Sequence, residues 1–371
     1  MKNFCALPFH HLDVRTNGDY NVCCHHRLPK KHVLNINHSS YNSWFESEYL
    51  QEVRNSIVKD LRHPGCQQCW QREDSGFSSM RQRTAKEYRI LGINTNEPSI
   101  KNVEIDLGNL CNLKCLMCNE TNSSSILAEN QRLNISQHKQ SDFKWTDDAF
   151  QNLQQILDQN PRVVNIRGGE PFYNNKLLEI VQNISNDRSK SMVLHITTNA
   201  TVWNQEWKQA LSKFRLVRIM ISLDAVGDLY EYIRYPASWE RVQQNVSEMS
   251  LMPNFKLLVH CVGQNLNIAH IGDLIDWCQQ KKLYLEIESI SYPHYMSIEN
   301  LPDSHKKQVI DNLTKLLNHR EYPKHICNFI TSSIDSLCSS VFDAEKWREF
   351  SSNISMRDRL RKNDYRDFIK E

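Results

Sequence analysis

Short apolar runs recur from residue 101 onward, and between them apolar residues return every three or four positions. The runs fall at 103–107 (VEIDL), 162–166 (RVVNI), 193–198 (VLHITT), 216–223 (LVRIMISL), 257–262 and 283–290 (LYLEIESI). Runs of that length, rich in β-branched residues, predict strands, and the intervening period predicts helices. One helix is well marked. Thr146 precedes Asp147 and Asp148 as cap and first turn, Phe150, Leu153, Ile156 and Leu157 follow on one face, and Asn160-Pro161 stops it. Six strand–helix units predict a parallel sheet wrapped by helices. Six strands are too few for a closed eight-stranded barrel, so the expected fold is α/β, a partial (β/α)6 TIM-like barrel with its reactive face at the C-terminal strand ends.

Residues 1–92 follow another pattern, with five cysteines and no βα alternation. The run HHLDVRTNGDYNVCC flanks Asn17-Gly18 with alternating residues and predicts a hairpin. Residues 43–61 carry Trp44, Phe45, Tyr49, Leu50, Val53, Ile57 and Leu61 near helical period, and the turn His63-Pro64-Gly65 leads into Cys66 and Cys69. The expected organisation is a small Cys-rich hairpin-plus-helix module over 1–92, a linker over 93–102, the partial barrel over 103–300 and a helical C-terminal segment over 301–371.

Composition narrows the function classes. The 371 residues are 40% apolar, with 45 basic and 43 acidic residues, a net charge of +2. That balance provides no broad basic surface for nucleic acid or membrane. The N-terminus, MKNFCALPFHHLD, lacks the apolar core of a signal peptide, and no run reaches the roughly 18 apolar residues of a membrane span. A soluble cytoplasmic protein is expected. Twelve clustered cysteines then point to metal or redox chemistry rather than to disulfides.

Cys111, Cys115 and Cys118 form C-x3-C-x2-C in the run CNLKCLMC, just after the first strand. A structural zinc site uses four protein ligands. A [4Fe–4S] cluster has four irons, so three thiolates leave one iron open. A structural zinc loop is the bland alternative. Gly168-Gly169-Glu170-Pro171 ends the second strand, where two glycines let backbone pass close to a ligand. Thr197-Thr198-Asn199 ends the third strand, and Ser222 and Asp224 end the fourth.

In this order the motifs over residues 100–290 resemble the radical S-adenosylmethionine (radical SAM) superfamily. The resemblance implies a [4Fe–4S] cluster on Cys111, Cys115 and Cys118, with SAM chelating its open iron. It implies SAM contacts from Gly168, Gly169, Glu170 and Pro171, from Thr198 and Asn199, from Ser222 and Asp224, and from Arg234 in YIRYP, whose planar fork suits a carboxylate. One departure is Leu116, where the family often has an aromatic residue after the middle cysteine.

Cys5, Cys23, Cys66 and Cys69, with CALPF, the Asn17-Gly18 turn and CQQCW around them, resemble the twitch module, a shorter relative of the SPASM domain. Here it precedes the barrel instead of following it. The resemblance implies an auxiliary [4Fe–4S] cluster closed by those four thiolates. Cys24 stands as an alternative to Cys23, because neighbours in a strand point oppositely. A four-cysteine zinc, or a mixed Cys/His zinc drawing on His10, His11, His25 or His26, suits the same spacing. Glu73, Gly76, Ser79 and Arg81 are expected to form a helix start and a solvated face. Cys261, Cys278, Cys327 and Cys338 are expected to be core residues without a role.

The activity this resemblance implies is reductive cleavage of SAM to a 5′-deoxyadenosyl radical, which takes a hydrogen atom from a peptide or small-metabolite substrate. An external electron donor of flavodoxin or ferredoxin type serves as partner, and the auxiliary cluster aids an oxidation such as dehydrogenation or crosslinking. An epimerase, with a thiol returning the hydrogen, is the nearest alternative. A zinc-binding interaction protein without enzymatic activity is the alternative from another class.

Overall fold

A computed structural model describes residues 3–90, 98–319 and 321–369. Half of the expected linker, residues 93–97, lies outside the described residues. All six expected strands form: β3 (Asn102–Asp106), β4 (Val163–Arg167), β5 (Val193–Thr198), β6 (Leu216–Ser222), β7 (Phe255–Gly263) and β8 (Tyr284–Ser289). Two more come from the N-terminal hairpin, β1 (His11–Val14) and β2 (Tyr20–Asn21). The eight lie in the order β2-β1-β3-β4-β5-β6-β7-β8. This is the α/β fold of the partial TIM-like class.

The hairpin expected at Asn17-Gly18 forms, with Gly18 at φ 89 and Asp13 paired to Asn21. Its first strand does something periodicity did not show: β1 runs parallel to β3, with Leu12 opposite Val103 and Asp13 opposite Glu104. The hairpin is therefore an extension of the main sheet. The helix expected over 43–61 is two helices, Tyr41–Phe45 and Glu48–Val58. Ser47 separates them, its Oγ accepting from the Leu50 N–H, so the cap outweighs the continuing apolar period.

The chain divides into two compact units. The first comprises Met1–Asn112, Glu120–Thr197 and Asn204–Arg218. Along its parallel strands apolar and polar side chains largely alternate. Leu12, Val14, Val103, Ile105, Val164, Ile166, Leu194 and Ile196 are buried on one face. The other face carries a row that register fixes: Asp13 opposite Glu104, Glu104 opposite Asn165, Asn165 opposite His195. The helix at Asp147–Asp158 is capped by Thr146, as the sequence predicts, and lies beside Asn175–Asn183.

The second unit comprises Leu113–Asn119, Thr198–Trp203 and Ile219–Glu371. Here β7 and β8 pair in parallel, with Val259 opposite Leu285. The C-terminal segment forms three helices, Asp303–His319, Lys324–Ser339 and Ala344–Arg361. Among the described residues no helix is long and apolar enough to cross a membrane.

Candidate functional site

In the first unit, the loop after β3 is tied down around Cys111. Its N–H donates to Ser124 Oγ at 3.1 Å, and its carbonyl accepts from Ser125 Oγ at 2.7 Å. The glycine motif after β4 packs against the same loop. Gly168 and Gly169 have φ 84 and 53, a region L side chains resist. A Cβ on Gly168 would stand 2.6 Å from the Leu107 nitrogen, and one on Gly169 would strike the Leu110 carbonyl. The Glu170 N–H donates to that carbonyl at 2.8 Å, one residue before Cys111. Glu170 is buried, and its carboxylate accepts from the Phe172 N–H, which starts the turn at Pro171.

In the second unit, Cys115 and Cys118 follow on the same loop, and the Cys118 N–H donates to the Cys115 carbonyl. Backbone donation from Leu116 to Ile233 and from Lys114 to Tyr235 fixes the loop beside the helix Gly227–Ile233. Arg234 follows that helix directly. Its Nε lies 2.8 Å from Asp224 Oδ2, and its Nη1 lies 3.9 Å from Cys115 Sγ. Burial pushes both thiols up, Cys118 to about 12 with Cys115 adding to the rise, while Arg234 draws both down. A buried and a half-buried thiol beside one cation suit ligation of a positively charged centre.

The expected SAM contacts divide into kinds. Thr198 Oγ1 accepts from the Ala200 N–H, and Asn199 Oδ1 accepts from the Thr201 N–H and hydroxyl, so both shape the turn after β5. Ser222 is half-buried at the end of β6. Asp224 and Arg234, the other expected SAM contacts, pair with each other. Asp224 Oδ1 also accepts from the Val262 N–H on β7. The reason is physical: a fully buried carboxylate needs a countercharge and donors.

The N-terminal cysteines converge. Cys5, Cys23, Cys66 and Cys69 line one small cavity together with Leu7, Trp70 and Arg81. Cys5 and Cys66 are pushed up to about 12, first by burial and then by neighbouring cysteines. His25 and His26 line the same cavity. Cys24 does not line the cavity; its Sγ lies 3.5 Å from Met80 Sδ, and its thiol is raised by Glu104 and Asp13 after burial. All twelve cysteines lie outside disulfides.

Two parts of this module escaped the sequence reading. Glu73, Ser79 and Arg81 are not a solvated face. Ser79 is fully buried and donates to Glu73 at 2.6 Å, Arg81 pairs with Glu73 and donates to the Phe4 carbonyl, and its guanidinium lies 5.0 Å from the Trp70 ring centre. They brace the wall that carries Cys5 and Cys69. His63 gave only a turn signal, yet it groups with His26 and Cys66, and His26 Nδ1 lies 3.6 Å from Cys66 Sγ. Burial lowers His26 to about 4, with His63 adding.

Residues 105–278 match the radical SAM superfamily model. That match covers somewhat under half of the chain. Curated relatives include a probable GTP 3′,8-cyclase of Methanocaldococcus jannaschii, 27% identical over 192 residues, which cover 51% of this chain and 58% of that one. Another is molybdenum cofactor biosynthesis protein 1 of Dictyostelium discoideum, 23% identical over 60% of this chain and 32% of that one. The chain spans somewhat over half the length of the cyclases it matches. Among solved structures, native anSMEcpe with bound AdoMet aligns at TM-score 0.41 and 17% identity, over 59% of this chain and 62% of that one. Streptococcus suis SuiB bound to S-adenosylmethionine aligns at TM-score 0.40 and 16% identity, over 75% and 60%.

Proposed function

We propose that this chain is a radical SAM enzyme that oxidises or crosslinks a peptide or small metabolite, with an auxiliary cluster in its N-terminal module. When bound, the cluster and SAM supply one-electron reductive cleavage and a 5′-deoxyadenosyl radical that abstracts hydrogen from carbon. The chain's own residues do the rest. Cys111, Cys115 and Cys118 hold the cluster, and Arg234 favours the Cys115 thiolate. Gly168 and Gly169 keep backbone close to the cysteine loop, and Glu170 fixes the turn that presents it. Thr198, Asn199 and Ser222, at strand ends, offer polar groups to SAM. Asp224 positions Arg234. Cys5, Cys23, Cys66 and Cys69 hold the auxiliary cluster.

The observation that carries this reading is the bracing of Leu110 and Cys111 by the glycine motif, in a span that matches the superfamily. Metal analysis after anaerobic purification tests it. Two [4Fe–4S] clusters correspond to roughly eight iron and eight sulfide ions per chain. Iron-free protein with zinc at the C-x3-C-x2-C loop would overturn it. A second reading has one observation in its favour: the grouping of His26 and His63 with Cys66 suits a zinc ion at the N-terminal site. Roughly four irons and one zinc per chain would select it.

A further inference from the structure

Parallel pairing of β1 with β3 brings together three ligand-type side chains that use no cysteine. His11 and Asp13 lie two residues apart on β1 and so share a face, and Asp13 stands directly opposite Glu104. One donor atom from each lies within 4.8 Å of the other two. The three residues are 1%, 0% and 6% exposed. Neither ring nitrogen of His11 nor Asp13 Oδ1 has a hydrogen-bond partner, and Asp13 Oδ2 has only its ion pair with Arg15. Buried polar groups left in that state are costly and call for an explanation.

Two arginines orient the carboxylates from outside. Arg15 Nε lies 3.1 Å from Asp13 Oδ2, and Arg167 pairs with Glu104 Oε1 and, at 2.8 Å, with Asp106. That leaves Asp13 Oδ1 uncommitted and turns Glu104 Oε2 to within 3.6 Å of His11 Nε2. Carboxylates held by second partners are a usual feature of metal sites. Three carboxylates, of Asp13, Glu104 and Asp106, thus face two guanidiniums. The Arg15 and Arg167 side chains are each about a third exposed.

We propose that His11, Asp13 and Glu104 bind one divalent cation of the Mn2+, Fe2+ or Zn2+ class. One imidazole and two carboxylates suit such ions, and three protein ligands leave positions for water or an oxygen ligand. The site uses no cysteine ligand, so either reading can fail without the other.

Mn2+ is the probe, because it is paramagnetic and prefers oxygen and imidazole to thiolate. In a titration of anaerobic holoprotein followed by electron paramagnetic resonance, one Mn2+ should bind per chain. Affinity should fall at least tenfold in His11→Gln and in Glu104→Gln, with iron content and circular dichroism unchanged. Absence of stoichiometric binding, or equal binding by both variants, would overturn the proposal. Should the variants unfold, spin-echo spectra of Mn2+ on the unaltered chain decide. Histidine nitrogen coupling is expected, and its absence contradicts the site.

Discussion

Arg234 Nε stands 2.8 Å from Asp224 Oδ2, and the same guanidinium reaches to 3.9 Å from Cys115 Sγ. Asp224 is fully buried, and its second oxygen is taken by the Val262 N–H. The pair thus fixes a cation beside a thiol that burial alone would keep neutral. Asp224→Asn leaves Arg234 without its countercharge. A stability loss of about 3–5 kcal/mol is expected, read from urea unfolding of anaerobic protein. A loss under about 1 kcal/mol would mean the pair has no such role.

The adjacent cysteines at the end of the hairpin should behave differently. Cys23 lines the four-cysteine cavity, whereas Cys24 lies beside Met80. Cys23→Ser is expected to lose the auxiliary metal and Cys24→Ser to keep it, as measured by iron and sulfide per chain. The reverse pattern would show that the hairpin register is shifted by one residue.

Gly169 and Gly227 both have positive φ, 53 and 58. A Cβ on Gly169 meets the Leu110 carbonyl, while one on Gly227 meets nothing within 4 Å. Both alanine variants carry the left-handed backbone cost of about 1–2 kcal/mol. Only Gly169→Ala should also displace the cysteine loop, so it should unfold at lower urea than Gly227→Ala and hold less iron. Equal behaviour would remove the close-approach argument for the glycine motif.

Much of this was legible from the chain. The six strands and the Thr146-capped helix follow from local period, and the glycine motif and cysteine loop follow from spacing. What local pattern could not reveal are the choices made by distant residues. The parallel pairing of His11–Val14 with Asn102–Asp106 is one such choice, because a hairpin signal at Asn17-Gly18 says nothing about a third strand. The Asp224–Arg234 pair is another, since two charges ten positions apart carry no sign of their mutual burial. The polar row through Asp13, Glu104, Asn165 and His195 was visible in part. Each is a polar residue at an alternate position in an otherwise apolar strand, but only register shows that they share one face.

That row also gives a pH dependence. Burial, with Arg218 Nη1 3.3 Å away, lowers His195 from 6.5 to about 4. The unfolded chain takes up a proton near pH 6.5 and the folded chain only near pH 4. The contribution of neutral His195 is therefore complete above pH 6.5 and is lost as pH falls towards 4, by about 2–3 kcal/mol. His195→Gln should flatten that part of the stability–pH curve. An unchanged slope would place the acid sensitivity elsewhere.

The most direct test of the central claim is 5′-deoxyadenosine formation. Reconstituted protein, given SAM and a strong reductant without oxygen, should release 5′-deoxyadenosine and methionine. The Cys115→Ala protein should release neither. Release that persists in Cys115→Ala, or none from an unaltered protein carrying its full iron, would contradict the account.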